Sequence, residues 1–342
     1  SFVYNYQTHD MTKNFSQEEG IALAKRLLGS EFKNANLWTT EQELQLSFSK
    51  KGKASLLTKH KTTAVAPIGI EHNREKQRFL SLDRPFLMDL GVTDEQQQLI
   101  PAMSRKWKQI NKFIEIFQRA VTEAKLNLGQ PLNVVDFGSG KGYLTFALHD
   151  YLRQNLANQA IVTGVELRDN LVQLCSTAIK KRAIEGLQFY QGDVRSYQPD
   201  VLDVMIALHA CDIATDYAIH TGIRLGASVI MCAPCCHKQI RPQLHSPMVL
   251  RPLLQHGVHL GQEAEMLTDG LRALLLEACG YDTQVFEFVA LEHTSKNKMI
   301  LAVKRQSAVN NGELLTQIQA LKAFYGIKEQ CLESLLKADG LP

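Results

Sequence analysis

Residues 134–143 run Val134-Val135-Asp136-Phe137-Gly138-Ser139-Gly140-Lys141-Gly142-Tyr143. An apolar strand passes through three alternating glycines into a helix, and glycine at such a junction lets backbone N–H groups come close to a ligand. Two familiar glycine patterns fail on spacing. A phosphate-binding P-loop needs Ser or Thr after its lysine, whereas Gly142 follows Lys141, and a dinucleotide fingerprint wants its third glycine where Tyr143 stands. Downstream, strand-like and helix-like segments alternate: 132–137, 143–153, 161–167, 170–182, 187–191, 202–208, 213–223 and 228–233. That alternation predicts an α/β fold, a Rossmann-like parallel sheet with helices on both faces. A helix over 263–279 and two strands, 284–292 and 299–305, follow as an antiparallel hairpin at the sheet edge. Apolar spacing then predicts two short helices within 309–342.

The 342 residues suffice for two domains, and 45% apolar content excludes a mostly disordered chain. In front of the alternating region, residues 16–28 predict an amphipathic helix and residues 44–57 a small strand pair around a basic turn. Residues 104–124 carry Trp107, Ile110, Ile114, Phe117 and Val121 at helical steps. Leu128-Gly129-Gln130-Pro131 breaks that helix. The expected organisation is a smaller basic N-terminal α+β domain over 1–100, serving substrate recognition or as a lid, a connecting helix over 101–130, a catalytic domain over 131–308 and closing helices over 309–342.

Charge divides unevenly along this plan. Residues 1–130 hold 19 Lys and Arg against 14 Asp and Glu, and the remainder hold 19 against 21. Within 50–84 the balance is nine basic to three acidic, so Lys51, Lys53 and Lys59, with Lys106 on the later helix, are candidate contacts to a polyanion. A solvated lysine-rich face has the same composition. No apolar run reaches the roughly 18 residues of a membrane helix, and the first residues lack a secretion-signal layout, so a cytoplasmic protein is expected. Seven scattered cysteines point to reduced thiols rather than a disulfide framework.

The pattern Asp-x-Gly-x-Gly-x-Gly resembles the first motif of class I S-adenosylmethionine-dependent methyltransferases. Three further positions fall in that family's order. Glu166 ends the second strand, where an acid accepts from ribose hydroxyls. Asp193 ends the third, where a carboxylate accepts from the adenine amino group. Asp136 lies under the methionine moiety, and Gly138, Gly140 and Gly142 let the donor approach. The resemblance implies the seven-stranded methyltransferase sheet over about 131–305, with S-adenosylmethionine as cofactor. Each acid is also a common helix cap or turn former.

The ends of strands four and five carry the remaining chemistry: His209-Ala210-Cys211-Asp212 and Cys232-Ala233-Pro234-Cys235-Cys236-His237. They are similar to the Cys-Cys-His branch of the class, which includes acceptor-stem tRNA ribose 2′-O-methyltransferases and related methyltransferase-like proteins. Asp212 stands where that branch usually has glycine, and the front domain lacks the tRNA enzymes' zinc-finger spacing. Three readings stay open. His237 or His209 orients or deprotonates a ribose hydroxyl while Asp212 polarises a histidine or holds substrate; Cys235 or Cys236 attacks a pyrimidine as a thiolate; or Cys232, Cys235, Cys236 and His237 hold zinc. The first is favoured, with no metal expected, and His209 is also placed beside the donor. An Asn/Asp-Pro-Pro-Tyr/Phe segment, expected of an amino-methylating enzyme, is absent. The expectation is therefore a methyltransferase acting on structured RNA, at ribose 2′-O or base, with neither DNA nor membrane as partner. The alternatives are a small-molecule or protein methyltransferase and a non-catalytic binding protein of the same fold.

Overall fold

The computed structural model describes residues 1–6, 8–39, 42–49, 51–60, 79–126, 129–155, 159–208, 210–288, 298–307 and 311–341. Contacts divide the chain into two compact units, Ser1–Lys76 and Gln77–Pro342.

In the first unit, β1 (Phe2–Asn5) and β2 (Asp10–Lys13) form an antiparallel pair, and α1 (Gln17–Leu27) follows. Ser16 starts α1 with a reciprocal cap: its hydroxyl accepts the Glu19 N–H, and the Glu19 carboxylate accepts the Ser16 N–H. Strands β3 (Asn34–Trp38), β4 (Gln42–Phe48) and β5 (Ala54–His60) make an antiparallel sheet. The sequence predicts β4 and β5 but not β3, where asparagines interrupt the apolar alternation. Register places Trp38, Glu43 and Lys59 in one row, so their side chains share a face.

The second unit begins with α2 (Pro85–Asp89) and α3 (Ser104–Ala124). Alternation then gives β6 (Leu132–Phe137), α4 (Tyr143–Asn155), β7 (Ala160–Glu166), α5 (Asp169–Arg182), β8 (Leu187–Gln191), β9 (Val204–Ala207), α6 (Ile213–Arg224) and β10 (Val229–Cys232). After α7 (Arg251–Leu254) and α8 (Gly257–Ala278) come β11 (Tyr281–Glu287), β12 (Lys298–Lys304), α9 (Gly312–Tyr325) and α10 (Cys331–Ala338). The sheet order is β11-β12-β10-β9-β6-β7-β8, with β12 antiparallel to both neighbours. This is the expected Rossmann-like seven-stranded methyltransferase sheet. β9 and β10 are buried throughout, which accounts for their unbroken apolar sequences.

Two layers cover the sheet. One core holds Trp107, Phe113 and Phe117 of α3 with Phe146 and Leu148 of α4, and the other holds Ile219, Leu271, Leu275 and Leu332 from α6, α8 and α10. The helix expected as a connector over 101–130 is thus part of the catalytic unit's own core, because its apolar stripe is covered by α4 and the sheet. Residues 79–100 also pack there: Asp89 accepts from Lys181 at 2.7 Å and Arg182 at 2.6 Å on α5. The unit boundary after Lys76 therefore replaces the expected one near residue 100. The segment joining the two expected edge strands lies outside the described residues, as does His209. No helix among the described residues is long and apolar enough to cross a membrane.

Candidate active site

The sheet order reverses direction at β6, with β7 on one side and β9 on the other. Clefts of open α/β sheets form at the carboxyl ends of strands at such a point. A cleft of about 310 Å³ lies there, lined by Gly138, Gly140, Glu166, Asp193, Ala210 and Cys211 among others. A larger one of about 420 Å³, lined by Lys112, Arg119, Glu123 and Gln284, has no glycine loop or cysteine.

The loop glycines differ in what requires them. Gly142 has φ +70°, and a Cβ there would meet the Phe189 ring at 2.8 Å and Cys175 Sγ at 3.0 Å. Gly140 has φ +59° with open space around it, and its N–H donates to Glu166 Oε2 at 2.8 Å. Glu166 is buried at the end of β7, and its Oε1 also accepts from Arg168 N at 3.0 Å and Nε at 2.9 Å. Burial raises its pKa, but the hydrogen bonds from Arg168 and Gly140 outweigh that and leave it lowered. Asp136 is buried and accepts from Thr145 Oγ1 at 2.7 Å. Burial, with the Glu166 charge in the same sense, pushes it up to about 6 against that hydrogen bond. Asp193 closes the turn after β8, accepting from the Arg195 and Ser196 N–H groups and, at 2.7 Å, from Arg195 Nη2. The Arg195 hydrogen bond leads in lowering its pKa.

Across the cleft, Asp212 occupies an unusual backbone conformation, φ +55° and ψ −126°, a region that glycine tolerates best. Its Oδ1 accepts the N–H groups of Lys238 at 2.8 Å and Gln239 at 3.2 Å. The side chain therefore fastens the loop after β9 to the loop after β10, which is what an acid at a glycine position gains here. Among the described residues Asp212 meets no histidine, and the carboxylate that faces His237 is a different one. It belongs to Asp269 of α8: His237 Nε2 lies 3.2 Å from Asp269 Oδ1, both residues buried. A carboxylate only accepts, so Nε2 carries a proton and Asp269 fixes the orientation of the ring.

Asp269 also faces Arg272 Nη1 at 3.4 Å, and Arg272 forks onto Asp216 at 2.6 and 3.1 Å. Gln330, the N-cap of α10, donates to Asp216 at 2.6 Å, and Arg272 Nη2 donates to the Asp212 carbonyl at 2.9 Å. This buried network of Asp216, Asp269, Arg272 and Gln330 was missed from sequence. The available signal was Asp269 and Arg272 standing among Leu267, Leu271 and Leu275 on the apolar face of a helix.

The thiols split into two groups. Cys232 is buried in β10, and burial holds it in the thiol form. Cys211 and Cys235 have Sγ atoms 3.2 Å apart, and Cys235 and Cys236 3.7 Å. Burial, then hydrogen bonds to Cys211 and Cys236, push Cys235 up to about 12, which leaves it a weak attacking group near neutrality. The four-residue zinc set of the sequence reading is not assembled: the three thiols that come together are Cys211, Cys235 and Cys236.

Lys106, at the start of α3, sits with Nζ 5.4 Å from the centre of the Tyr143 ring and 2.6 Å from Gln109 Oε1. Burial lowers its pKa. It stands beside the donor loop rather than on an open basic face. Lys51, Lys53 and Lys59 are exposed residues of the first unit.

A buried Ser139 hydroxyl with no partner among the described residues, and a loop whose backbone is bared by glycine, fit a donor with a polar amino-acid end. Glu166 and Asp193 line the same cleft as this loop.

Comparison with known proteins agrees at the level of the domain. Residues 105–243 match the family described as "Methyltransferase domain". A human glutathione S-transferase C-terminal domain-containing protein is 27% identical over 224 residues, covering 58% of this chain and 33% of that one. The Bos taurus protein of the same description is 26% identical over 198 residues, covering 50% and 30%. The chain thus spans about a third of the length of these curated relatives. Among solved structures, a precorrin-6y C5,15-methyltransferase from Geobacter metallireducens superposes with TM-score 0.33 at 14% identity, covering 56% of this chain and 88% of its own. An rRNA methylase from Streptococcus thermophilus gives 0.33 at 14%, covering 56% and 96%. The sheet order and glycine loop accord with the family match, which marks residues 105–243 of the larger unit as similar to S-adenosylmethionine-dependent methyltransferase domains.

Proposed function

We propose that the chain methylates structured RNA, holding the sulfonium donor in the cleft between the glycine loop and Glu166. The donor supplies an electrophilic methyl group. The chain's residues bind and orient. The backbone of 138–142 lies against the amino-acid end, Glu166 accepts from the ribose hydroxyls once the exposed Arg168 side chain swings away, and Asp193 faces the adenine. On the acceptor side, His237, oriented by Asp269, takes the proton of a ribose hydroxyl, and Asp212 keeps its loop in place.

One observation supports an RNA acceptor above the rest. Trp38 is 62% exposed on a sheet face shared with Lys59, within the unit that carries the basic run. Glu43 stands between them in the row, and an open aromatic ring with a lysine on the same face is the kind of pairing by which single-stranded bases are stacked and their phosphates neutralised. The test is transfer of labelled methyl from S-adenosylmethionine to separated RNA, protein and small-molecule fractions. Label is expected in RNA, with affinity falling steeply as salt rises and falling further in a Lys51→Glu/Lys53→Glu/Lys59→Glu variant. Label confined to protein or small molecules, or salt-insensitive RNA binding, contradicts the reading.

A further inference from the structure

Cys211, Cys235 and Cys236 bring three Sγ atoms within 4.8 Å of one another, beside the donor cleft that Cys211 helps to line. Two of the separations, 3.2 and 3.7 Å, fall just short of what a tetrahedral ion requires. A zinc–sulfur bond of about 2.3 Å sets neighbouring sulfurs about 3.8 Å apart, so thiol shifts of a few tenths of an ångström close the shell. Adjacent cysteines are no obstacle here, because after β10 the irregular loop turns both side chains toward Cys211.

Further features suit a metal rather than three packed thiols. Cys211 is exposed and Cys235 and Cys236 are half-buried, which leaves an entry path. Among the described residues, the thiols' hydrogen bonds run only to one another, so no other group competes for the sulfurs. The two loops that carry them are held together independently. Asp212 accepts from Lys238 and Gln239, and Thr215 Oγ1 donates to the Ala210 carbonyl at 2.6 Å. A site whose supports do not depend on the ligand itself is preorganised.

We propose that Cys211, Cys235 and Cys236 form a three-thiolate zinc site at the acceptor edge of the donor cleft. Binding releases three protons to solvent, forms three Zn–S bonds and moves no electrons. Three protein ligands leave a fourth position for water or an acceptor atom, the arrangement of catalytic rather than closed structural zinc. The site requires the geometry of the two loops and not the identity of the acceptor, so it stands apart from the RNA reading.

The experiment is zinc binding by the full chain under reducing conditions, followed by metal analysis and by cobalt substitution. Retention of one zinc per chain is expected, and the cobalt form should show sulfur-to-cobalt charge transfer with the strong visible bands of tetrahedral thiolate coordination. Cys211→Ser and Cys236→Ser should each weaken zinc binding by more than about 100-fold, since even outer partners of metal ligands are worth 10–100-fold. Cys279→Ser, away from the cluster, should bind like the parent. Circular dichroism shows whether each variant is folded, and the parent's cobalt spectrum tests the ligand set even if a variant is not. A chain that retains no zinc, a cobalt form without thiolate charge transfer, or serine variants that bind as tightly as the parent would overturn the site. Finding only a Cys211–Cys235 disulfide in place of metal would do the same.

Discussion

The donor side and the acceptor side of the cleft are built by different means. Around β6, β7 and β8 the groups that matter are backbone N–H groups and two acids whose partners, Gly140, Arg168, Arg195 and Ser196, are near in sequence or sit on the adjoining loop. Around β9 and β10 the charged and imidazole side chains that matter among the described residues are set by distant elements: His237 by α8, Asp216 by α8 and the start of α10, Asp212 by the loop after β10. The donor side is a local device that a short motif can encode. The acceptor side is a tertiary assembly, and its stability and chemistry should fail together.

The largest effect that tests this contrast is Arg272→Ala. It leaves the buried carboxylates of Asp216 and Asp269 without their cation, a change worth about 3–5 kcal/mol. Urea unfolding should show that loss, with Arg272→Lys intermediate because it keeps charge without the planar fork. A midpoint unchanged by Arg272→Ala would mean the network is not holding the acceptor side.

On the donor side the corresponding buried charge is Asp136. Its folded pKa of about 6 lies above the ordinary 3.8, so well below 3.8 both states keep the proton and nothing is lost. As pH rises toward 6 the unfolded carboxyl ionises first, and the fold loses about 3 kcal/mol that it does not regain at higher pH. Asp136→Asn should remove that fall, read as unfolding midpoints at pH 4, 5 and 7. Parallel curves for parent and variant would refute the assignment.

A smaller contrast lies within the glycine loop. Gly142→Ala meets Phe189 and Cys175 as well as an unfavourable φ, and should cost about 3 kcal/mol. Gly140→Ala meets open space and should cost about 1 kcal/mol. Thermal unfolding of the two variants checks the order, and equal shifts would remove the distinction between a folding glycine and a donor-facing one.

The same contrast explains what could be read from sequence. The strand-helix alternation placed β6 and β8 within their observed bounds because buried parallel strands are continuous apolar runs and their helices have regular stripes. Asp136, Glu166 and the glycines were legible because they lie at fixed offsets from strand ends. Asp269 was not, because its pairing with His237 spans 32 positions and only the folded sheet brings α8 over the loop after β10. Asp212 was recognised as unusual, yet its role needed the observation that its carboxylate meets two N–H groups across the cleft. The unit boundary was misplaced for a related reason. A helix breaker at Gly129 marks where α3 ends, but not which core its apolar face enters.

The most direct measurement is calorimetric titration of the full chain with S-adenosylhomocysteine, beside its Gly140→Arg variant. The parent should show saturable one-to-one binding and the variant none, with the variant unfolding only slightly earlier, by about the 1 kcal/mol that the positive φ at Gly140 imposes, so that loss of binding is not loss of fold. Absence of binding by well-folded parent, or equal binding by the two, would contradict the placement of the donor against the backbone after Asp136.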